Sequence, residues 1–308
     1  EPVAYLLLGR RATPTAPTGL VTESLRTTLT TGWNSILFSQ TFGDPVVVCT
    51  PEYSGTSTSW IVRIRGTGPT GFEARGMTTT TTPTDVAGTI TCFAVESGVY
   101  TSAADGVKME AVKIDMPEGQ FDRKFRTRET IRVSYNNDYS SPIVLAQVQT
   151  ATGTAFEFAW VSGVKKYDVP TSKRLEIGRH IGEDFSNSLR RDEILGYIVL
   201  EAGSGTAGAL AYFAGRETDS VNGAVQGGRS VSTPSVANPL AILTASGMIG
   251  DDGQFPVVLS RPTSGSSSFT IAVDEDTLHD AERTHRTESV EYVIVEQSAV
   301  ARRLEAES

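Results

Sequence analysis

One short apolar segment recurs three times in this chain at a constant interval, and this repeat restricts the fold more than any other feature. Each copy is a proline followed by aliphatic residues, and the three prolines, Pro45, Pro142 and Pro239, are spaced 97 residues apart. A proline fits the first position of a strand because its missing N–H need not enter the hydrogen-bond ladder. A β-sandwich domain has about 100 residues. We therefore expect three copies of one β module.

A second repeated segment closes each module. Glu193–Glu201 and Glu288–Glu296 share a glutamate, a tyrosine four residues later, and an aliphatic run that ends in glutamate; Thr89–Glu96 is a weaker copy. Short β-branched runs that end at turn residues are typical of sandwiches and barrels. The predicted fold class is therefore all-β, with tandem antiparallel β-sandwiches: module 1 at residues 11–112, module 2 at 113–212 and module 3 at 213–298.

A fourth copy of the closing segment, Glu1–Leu8, opens the chain. It is a remnant of a preceding module in a longer array, an ordinary first strand, or a strand donated to the sheet edge of another subunit. In the last case residues 1–10 are an assembly strand, in which Val3, Tyr5 and Leu7 share one face because side chains alternate along a strand. The polar tail at residues 299–308 is either a free end or a contact with a partner.

The charge balance restricts the partners. The chain has 27 Lys and Arg against 36 Asp and Glu, which gives a net charge of −9. A nucleic-acid-binding protein needs a basic surface to neutralise phosphates, and a polybasic membrane-surface protein needs the same. We therefore expect no nucleic-acid partner. We expect no membrane insertion either, because no apolar run approaches the roughly 18 residues that a spanning helix needs.

The sequence contains no pattern that assembles an active site or a metal centre. The glycines of Gly203–Gly208 fit G-x-G-x-x-G, but no βαβ unit follows them, so we interpret the segment as a flexible connection between modules. The histidines, His180, His279 and His285, have no metal-ligand spacing, and His285 is interpreted as a polar turn residue. No G-x-S-x-G motif is present. We therefore predict that the chain is not an enzyme and holds no cofactor.

Two acidic clusters and three tryptophans are weaker candidates for binding. The clusters at residues 251–252 and 274–276 are interpreted as solvated loops, with a calcium site as the alternative because Ca²⁺ prefers oxygen ligands. Trp33, Trp60 and Trp160 could stack on a sugar ring. Each lies in or beside an apolar strand pattern, so we expect core or interface packing instead.

Cys49 and Cys92 are the only cysteines of the chain. They lie in the proline-led segment and the closing segment of module 1. If both face inward they could form a disulfide that bridges the sandwich, within the geometric limits on such bonds. Such a disulfide would fit an extracellular protein, whereas two buried thiols would fit any compartment. The sequence leaves both alternatives open.

Two sets of segments carry a resemblance to a known family: residues 36–38, Phe42 and residues 45–48, 60–65 and 68–74 in module 1, and residues 269–276 and 284–292 in module 3. On these segments module 1 resembles the H-type lectin domain, of the kind found in snail agglutinin and at the C-terminus of discoidin. Module 3 looks like a related lectin-like repeat of bacterial surface proteins, and module 2 matches mainly by repetition.

The resemblance implies a six-stranded antiparallel sandwich that often forms trimers. It also implies a weak carbohydrate site at Arg63, which aligns with an arginine that helps to bind N-acetylgalactosamine in these lectins. Thr79 and Thr80 stand where the snail lectin has a Trp-His pair, so the aromatic platform for the sugar is missing.

The sequence therefore favours a role in surfaces and assembly. The leading hypothesis is a structural subunit of an extracellular, cell-surface or virion assembly, such as a filament, sheath or tail component, which forms homo-oligomers or polymers through sheet edges. The alternative is a multivalent carbohydrate-binding adhesin, in which weak glycan sites gain avidity through their tandem arrangement.

Overall fold

The computed structural model shows an all-β protein, which confirms the predicted fold class. It describes residues 19–56, 58–123, 129–184, 190–232, 236–250, 252–262, 267–279 and 281–298. Within these ranges the elements other than strands are one α-helical turn, α1, and one 3-10 turn at Ala224–Gln226.

The strands and the helix lie along the chain as follows: β1 (Thr22–Leu29), β2 (Asn34–Leu37), β3 (Pro45–Glu52), β4 (Trp60–Gly68), β5 (Gly71–Thr78), β6 (Asp85–Val86), β7 (Gly88–Glu96), β8 (Gly98–Tyr100), α1 (Ser102–Asp105), β9 (Met109–Met116), β10 (Ile131–Val133), β11 (Pro142–Val148), β12 (Phe158–Ser162), β13 (Leu175–His180), β14 (Glu193–Glu201), β15 (Gly203–Ala207), β16 (Leu210–Val221), β17 (Arg229–Ser232), β18 (Pro239–Ser246), β19 (Phe255–Ser260), β20 (Ser268–Asp274) and β21 (Glu288–Glu296).

The same pairing order occurs three times along the chain. Each time, the first strand and the proline-led strand flank the closing strand, and three further strands pair in a second sheet. We call these six-stranded sets unit 1 (β1-β7-β3 with β2-β5-β4), unit 2 (β9-β14-β11 with β10-β13-β12) and unit 3 (β16-β21-β18 with β17-β20-β19). The pairings within each unit are antiparallel.

The units are joined through their sheets. A parallel pairing of β3 with β19 connects units 1 and 3, and a parallel pairing of β12 with β18 connects units 2 and 3. The expected limits at residues 112 and 212 fall inside β9 and β16, because the two repeated segments do not mark the first strand of a unit. The division into separate domains stays a prediction.

The proline-led strands begin where the sequence predicted. β3, β11 and β18 each start at the repeated proline, which confirms that the proline occupies the first position of a strand. Opposite each proline lies the last glutamate of the closing strand. The three pairs are Pro45 with Glu96, Pro142 with Glu201, and Pro239 with Glu296.

These strands are apolar on both faces because they separate two cores. One face packs inside its own unit, and the other contributes to a central core that all three units share. Strands that are buried on both sides read as continuous apolar runs. The proline-led strands supply equivalent positions of each unit to the central core: Val46 and Val48, Ile143 and Leu145, and Leu240 and Ile242.

A closed ring of hydrogen bonds links the three proline-led strands. In each strand a backbone N–H donates to the side-chain oxygen of the next strand, and the donors and acceptors occupy equivalent positions. The three bonds are Leu243 N to Thr50 Oγ1 at 2.8 Å, Ala146 N to Thr244 Oγ1 at 2.9 Å, and Cys49 N to Gln147 Oε1 at 3.4 Å. The units are therefore arranged around a pseudo-threefold axis.

A cavity of about 40 Å³ lies on this axis. Its lining includes Ile61, Phe158 and Phe255, which are 97 residues apart and come from the three units. Since about 10–15 Å³ of such space holds one water, whereas pockets for small molecules measure about 300–1,000 Å³, the cavity has room for a few waters but is too small for an organic ligand.

Candidate functional site

Arg63, the predicted sugar-binding residue, lies on β4 and points into the junction between units 1 and 2. Its side chain is only 2% exposed. One guanidinium nitrogen donates to the carbonyl of Ala155 at 2.5 Å, and the other pairs with Glu157 at 3.0 Å and Glu193 at 3.2 Å. A glycan cannot reach Arg63 in this fold.

The partners of Arg63 belong to a larger cluster, which we call the buried ion-pair network. Glu157 also pairs with Arg179 at 3.1 Å, and Arg179 donates to four backbone carbonyls. Glu193 accepts further hydrogen bonds from the Thr150 hydroxyl and the Gly153 N–H. The network consists of Arg63, Glu157, Arg179 and Glu193.

The electrostatics of this network are those of a balanced, closed cluster. Burial raises the pKa of Glu157, and the nearby Arg63 and Arg179 oppose that rise. Burial would also raise the pKa of Glu193, but Arg63 and the hydrogen bond from Thr150 outweigh it, so the pKa is lowered. Two cations and two carboxylates cancel within the network, and the neighbouring buried Arg190 is paired with Asp184. The network can therefore hold the two units together, and its charged groups lie out of reach of solvent.

Thr79 and Thr80 lie away from Arg63. Thr79 is buried, and its hydroxyl donates to the Ser59 hydroxyl at 2.8 Å, while its carbonyl accepts from the N–H of Thr277 in unit 3. Thr80 is half-buried and donates to the Thr82 carbonyl. Arg63 thus faces unit 2 and Thr79 faces unit 3, so the structure does not bring the predicted sugar ligands together.

The two cysteines face each other on neighbouring strands. Cys49 of β3 lies opposite Cys92 of β7 in the strand register, with a Cα–Cα distance of 4.1 Å, and their sulfurs are bonded. The disulfide therefore joins two strands of one sheet, whereas the sequence suggested a bridge across the sandwich. Both side chains face the core of unit 1.

The tryptophans divide into two core residues and one at the surface. Trp60 stacks on Tyr53, and the buried Trp160 donates its indole N–H to Asp122 at 3.0 Å, which confirms the expected core packing. Trp33 is half-buried, and the guanidinium of Arg65 lies 4.1 Å from the centre of its ring.

Several interpretations of polar segments need correction. The segment 274–276 is buried and not a solvated loop, because Asp274 pairs with Arg283 and Asp276 accepts backbone N–H groups. His285 does lie outside the strands, in the loop before β21, but it is buried, with only 3% of its surface exposed. Gly203–Ala207 forms β15 in a hairpin with β16, so it is an ordered strand instead of a flexible connection.

The assembly residues Val3, Tyr5 and Leu7 lie outside the described residues, as do Asp251 and the tail at residues 299–308. Comparisons with known proteins found no matching family model, no matching curated protein and no matching solved structure. The likeness to H-type lectins stays a prediction. No helix in the described part of the chain is long and apolar enough to cross a membrane.

His180 gives a pH-dependent prediction. Burial, with Lys166 and Arg190 nearby, lowers the pKa of His180 to about 3, whereas an unfolded histidine titrates near 6.5. Because only the unfolded state gains a proton between these values, stability falls as pH drops below about 6.5. When the pH is lowered from 7.5 to 5, the free energy of unfolding of His180→Gln should fall by about 2 kcal/mol less than that of the wild type. Chemical denaturation at the two pH values measures both changes.

Asp122 provides a control of opposite sign. Burial raises the pKa of Asp122 to about 6, so this carboxyl gives stability that is lost as pH rises from about 4 to 6. The Asp122→Asn variant should therefore lose more stability than the wild type when the pH is lowered from 7.5 to 5. Parallel pH profiles for His180→Gln and the wild type would contradict the prediction.

Proposed function

We propose that this chain is a non-enzymatic structural subunit of an extracellular, cell-surface or virion assembly. The observation that carries the proposal is the open sheet edge at β15, a strand without charge or proline. The hydrogen-bond ring around the shared central core already holds the three units of one chain together, so this edge stays available for another copy. Contacts with further copies would then use the outer faces, the sheet edges and the segments beyond the described residues.

One edge strand supports contacts through sheet edges. β8 and β15 are the last strands of their sheets, and each directly follows a closing strand. Natural edge strands are usually very short or carry charges or proline that prevent pairing with other chains. β8 has only three residues, whereas β15 has five, Gly-Ser-Gly-Thr-Ala, without charge or proline.

The central cavity and the buried network support a non-catalytic role. The cavity has room for a few waters but not for a substrate, and the acidic groups beside Arg63 are paired away from solvent. The disulfide between Cys49 and Cys92 supports an oxidising location, because such bonds persist mainly outside the cytosol.

The carbohydrate-binding alternative receives no support at the positions named for it. Arg63 and Thr79 are buried, and their hydrogen-bond partners belong to different units. A glycan would have to bind elsewhere on the surface.

Deletion of residues 1–10 tests the assembly proposal. We expect the full chain to form filaments or regular particles in electron micrographs, and the deletion variant to run as a single chain in light scattering. The physical reason is that a closing-type strand can complete a neighbour's sheet only if it is present.

A scrambled version of residues 1–10 is the matched control, because it keeps the composition and removes the alternating pattern. It should behave as the deletion does. A second variant, Ser204→Lys with Thr206→Lys, places charges on the two exposed positions of β15 and should also weaken assembly if that edge is used. A full chain that stays monomeric at all concentrations would contradict the proposed function. If the deletion variant still forms particles, that result would contradict strand donation but not the proposed function.

A further inference from the structure

Three side chains from separate loops of unit 3 converge at one point. Asp252 precedes β19, Glu275 directly follows β20, and His285 lies in the loop before β21. One ligand atom from each residue lies within 4.8 Å of the other two. The imidazole Nε2 of His285 is 3.8 Å from a carboxylate oxygen of Glu275.

The imidazole of His285 is held in the form that binds a cation. Its Nδ1 lies 3.0 Å from the carbonyl oxygen of Arg286, which can only accept, so Nδ1 carries the proton. Nε2 therefore keeps its lone pair and faces the two carboxylates. Metal-binding histidines commonly use a backbone carbonyl in this way to fix the tautomer and the ring orientation.

Two atoms at this point are buried without a hydrogen-bond partner. They are Nε2 of His285 and Oε1 of Glu275, whose residues are 3% and 4% exposed. Buried polar atoms are nearly always hydrogen-bonded, so each atom that is not needs an explanation. A cation bound between them would satisfy both.

The surrounding backbone is shaped around the imidazole. Glu288 accepts hydrogen bonds from the N–H groups of Ile249 and Gly250, which holds the loop that carries Asp252. A Cβ at position 250 would lie 2.6 Å from the His285 ring, so only glycine leaves room there. Asp252 is half-exposed, which gives an ion a route from solvent.

We propose that Asp252, Glu275 and His285 form a binding site for a divalent transition-metal ion of the Zn²⁺ class. One imidazole nitrogen and two carboxylate oxygens suit such ions, with water in the remaining position. Calcium is disfavoured because it prefers six to eight oxygen ligands. The bound ion would fasten three loops of unit 3 together.

The charges around the site are consistent with a cation. Negative charge is concentrated at this point, because the carboxyl groups of Glu282, Asp252, Asp274 and Asp276 all act on Glu275. The guanidinium of Arg283 pairs with both carboxylate oxygens of Asp274, so its charge is already balanced by that residue. The site would form whether or not the chain assembles, so its test is separate from that of the proposed function.

Titration of the EDTA-treated, dialysed full chain with Zn²⁺ tests the proposal. We expect one ion per chain by calorimetry at pH 7.5, together with a higher melting temperature, since a ligand that binds only the folded state stabilises it. Asp252→Asn and His285→Gln should each weaken binding by at least about 10-fold. His279→Gln, at an exposed histidine, is the matched control and should bind as the wild type does.

Asp252→Asn keeps the shape of the side chain at a half-exposed position, so we expect this variant to fold. If His285→Gln fails to fold, the Zn²⁺ affinity of Asp252→Asn tests the ligand set. Absence of Zn²⁺ binding by the wild type would overturn the proposal. Unchanged affinity in Asp252→Asn would overturn this ligand set, and equal affinity for Ca²⁺ would overturn the assignment to transition metals.

Discussion

Replacement of Arg63 with methionine is expected to lower the free energy of unfolding by about 3–5 kcal/mol. Arg63 is the cation between Glu157 and Glu193, and both carboxylates are essentially inaccessible to water. Methionine fills a similar volume but leaves Glu193 without its arginine, and an unpaired buried charge is strongly destabilising. Chemical denaturation followed by tryptophan fluorescence at pH 7.5 measures the change.

Arg65→Met is the matched control on the same strand. Arg65 pairs with Glu73 at 2.7 Å and lies over the ring of Trp33, but the two charged side chains are 41% and 37% exposed, so water screens the pair. Exposed ion pairs contribute about 0–1 kcal/mol. Equal losses for Arg63→Met and Arg65→Met would show that burial of the network does not determine its effect.

A charge-balanced variant separates lost charge from lost packing. Arg63→Met combined with Glu193→Gln removes one cation and one carboxylate and leaves the pair of Glu157 with Arg179 in place. Because no carboxylate is then stranded, the double variant should be more stable than Arg63→Met alone. The opposite order would mean that Glu193 does not depend on Arg63.

The strands that the sequence predicted well are those whose environment is uniform. β3 and β11 lie between two apolar cores, so their residues are apolar regardless of which face they occupy, and the leading proline marks where they start. The register of the closing strand was harder to predict. Counted from the first residue of each closing segment, Phe93 matches Tyr197, but the strand register places Cys92 at that position, opposite Cys49, as Tyr197 lies opposite Ala146. Since side chains alternate between the two faces of a strand, this shift by one residue exchanges the faces.

The contacts between units could not be predicted, because their partners are distant in sequence. Arg63 and Glu193 are 130 residues apart, and the sequence around each residue contains no pattern that indicates the other as its partner. The segment 274–276 looked solvated for the same reason: Tyr53, which donates to Asp274, lies 221 residues away. The ligands of the proposed metal site come from three loops, so no linear spacing marks them.

Removal of the disulfide is expected to destabilise the protein by about 4 kcal/mol in the chain-entropy model. Cys49 and Cys92 are separated by 43 residues, and the bond restricts that loop in the unfolded chain. The test compares the melting temperature of the oxidised wild type with that of Cys49→Ala/Cys92→Ala. For a chain of this size we expect a decrease on the order of 10 °C.

The other two units show that this fold does not need a bond at that position. The equivalent pairs are Ala146 with Tyr197 and Leu243 with Tyr292, so the variant should keep its fold while it loses stability. Because Cys49 and Cys92 are 6% and 1% exposed, dithiothreitol should reach the bond only when the chain unfolds. Reduction should therefore be slow in buffer and fast in denaturant. Two titratable thiols in the unfolded, unreduced protein would contradict the disulfide and, with it, the support for an oxidising location.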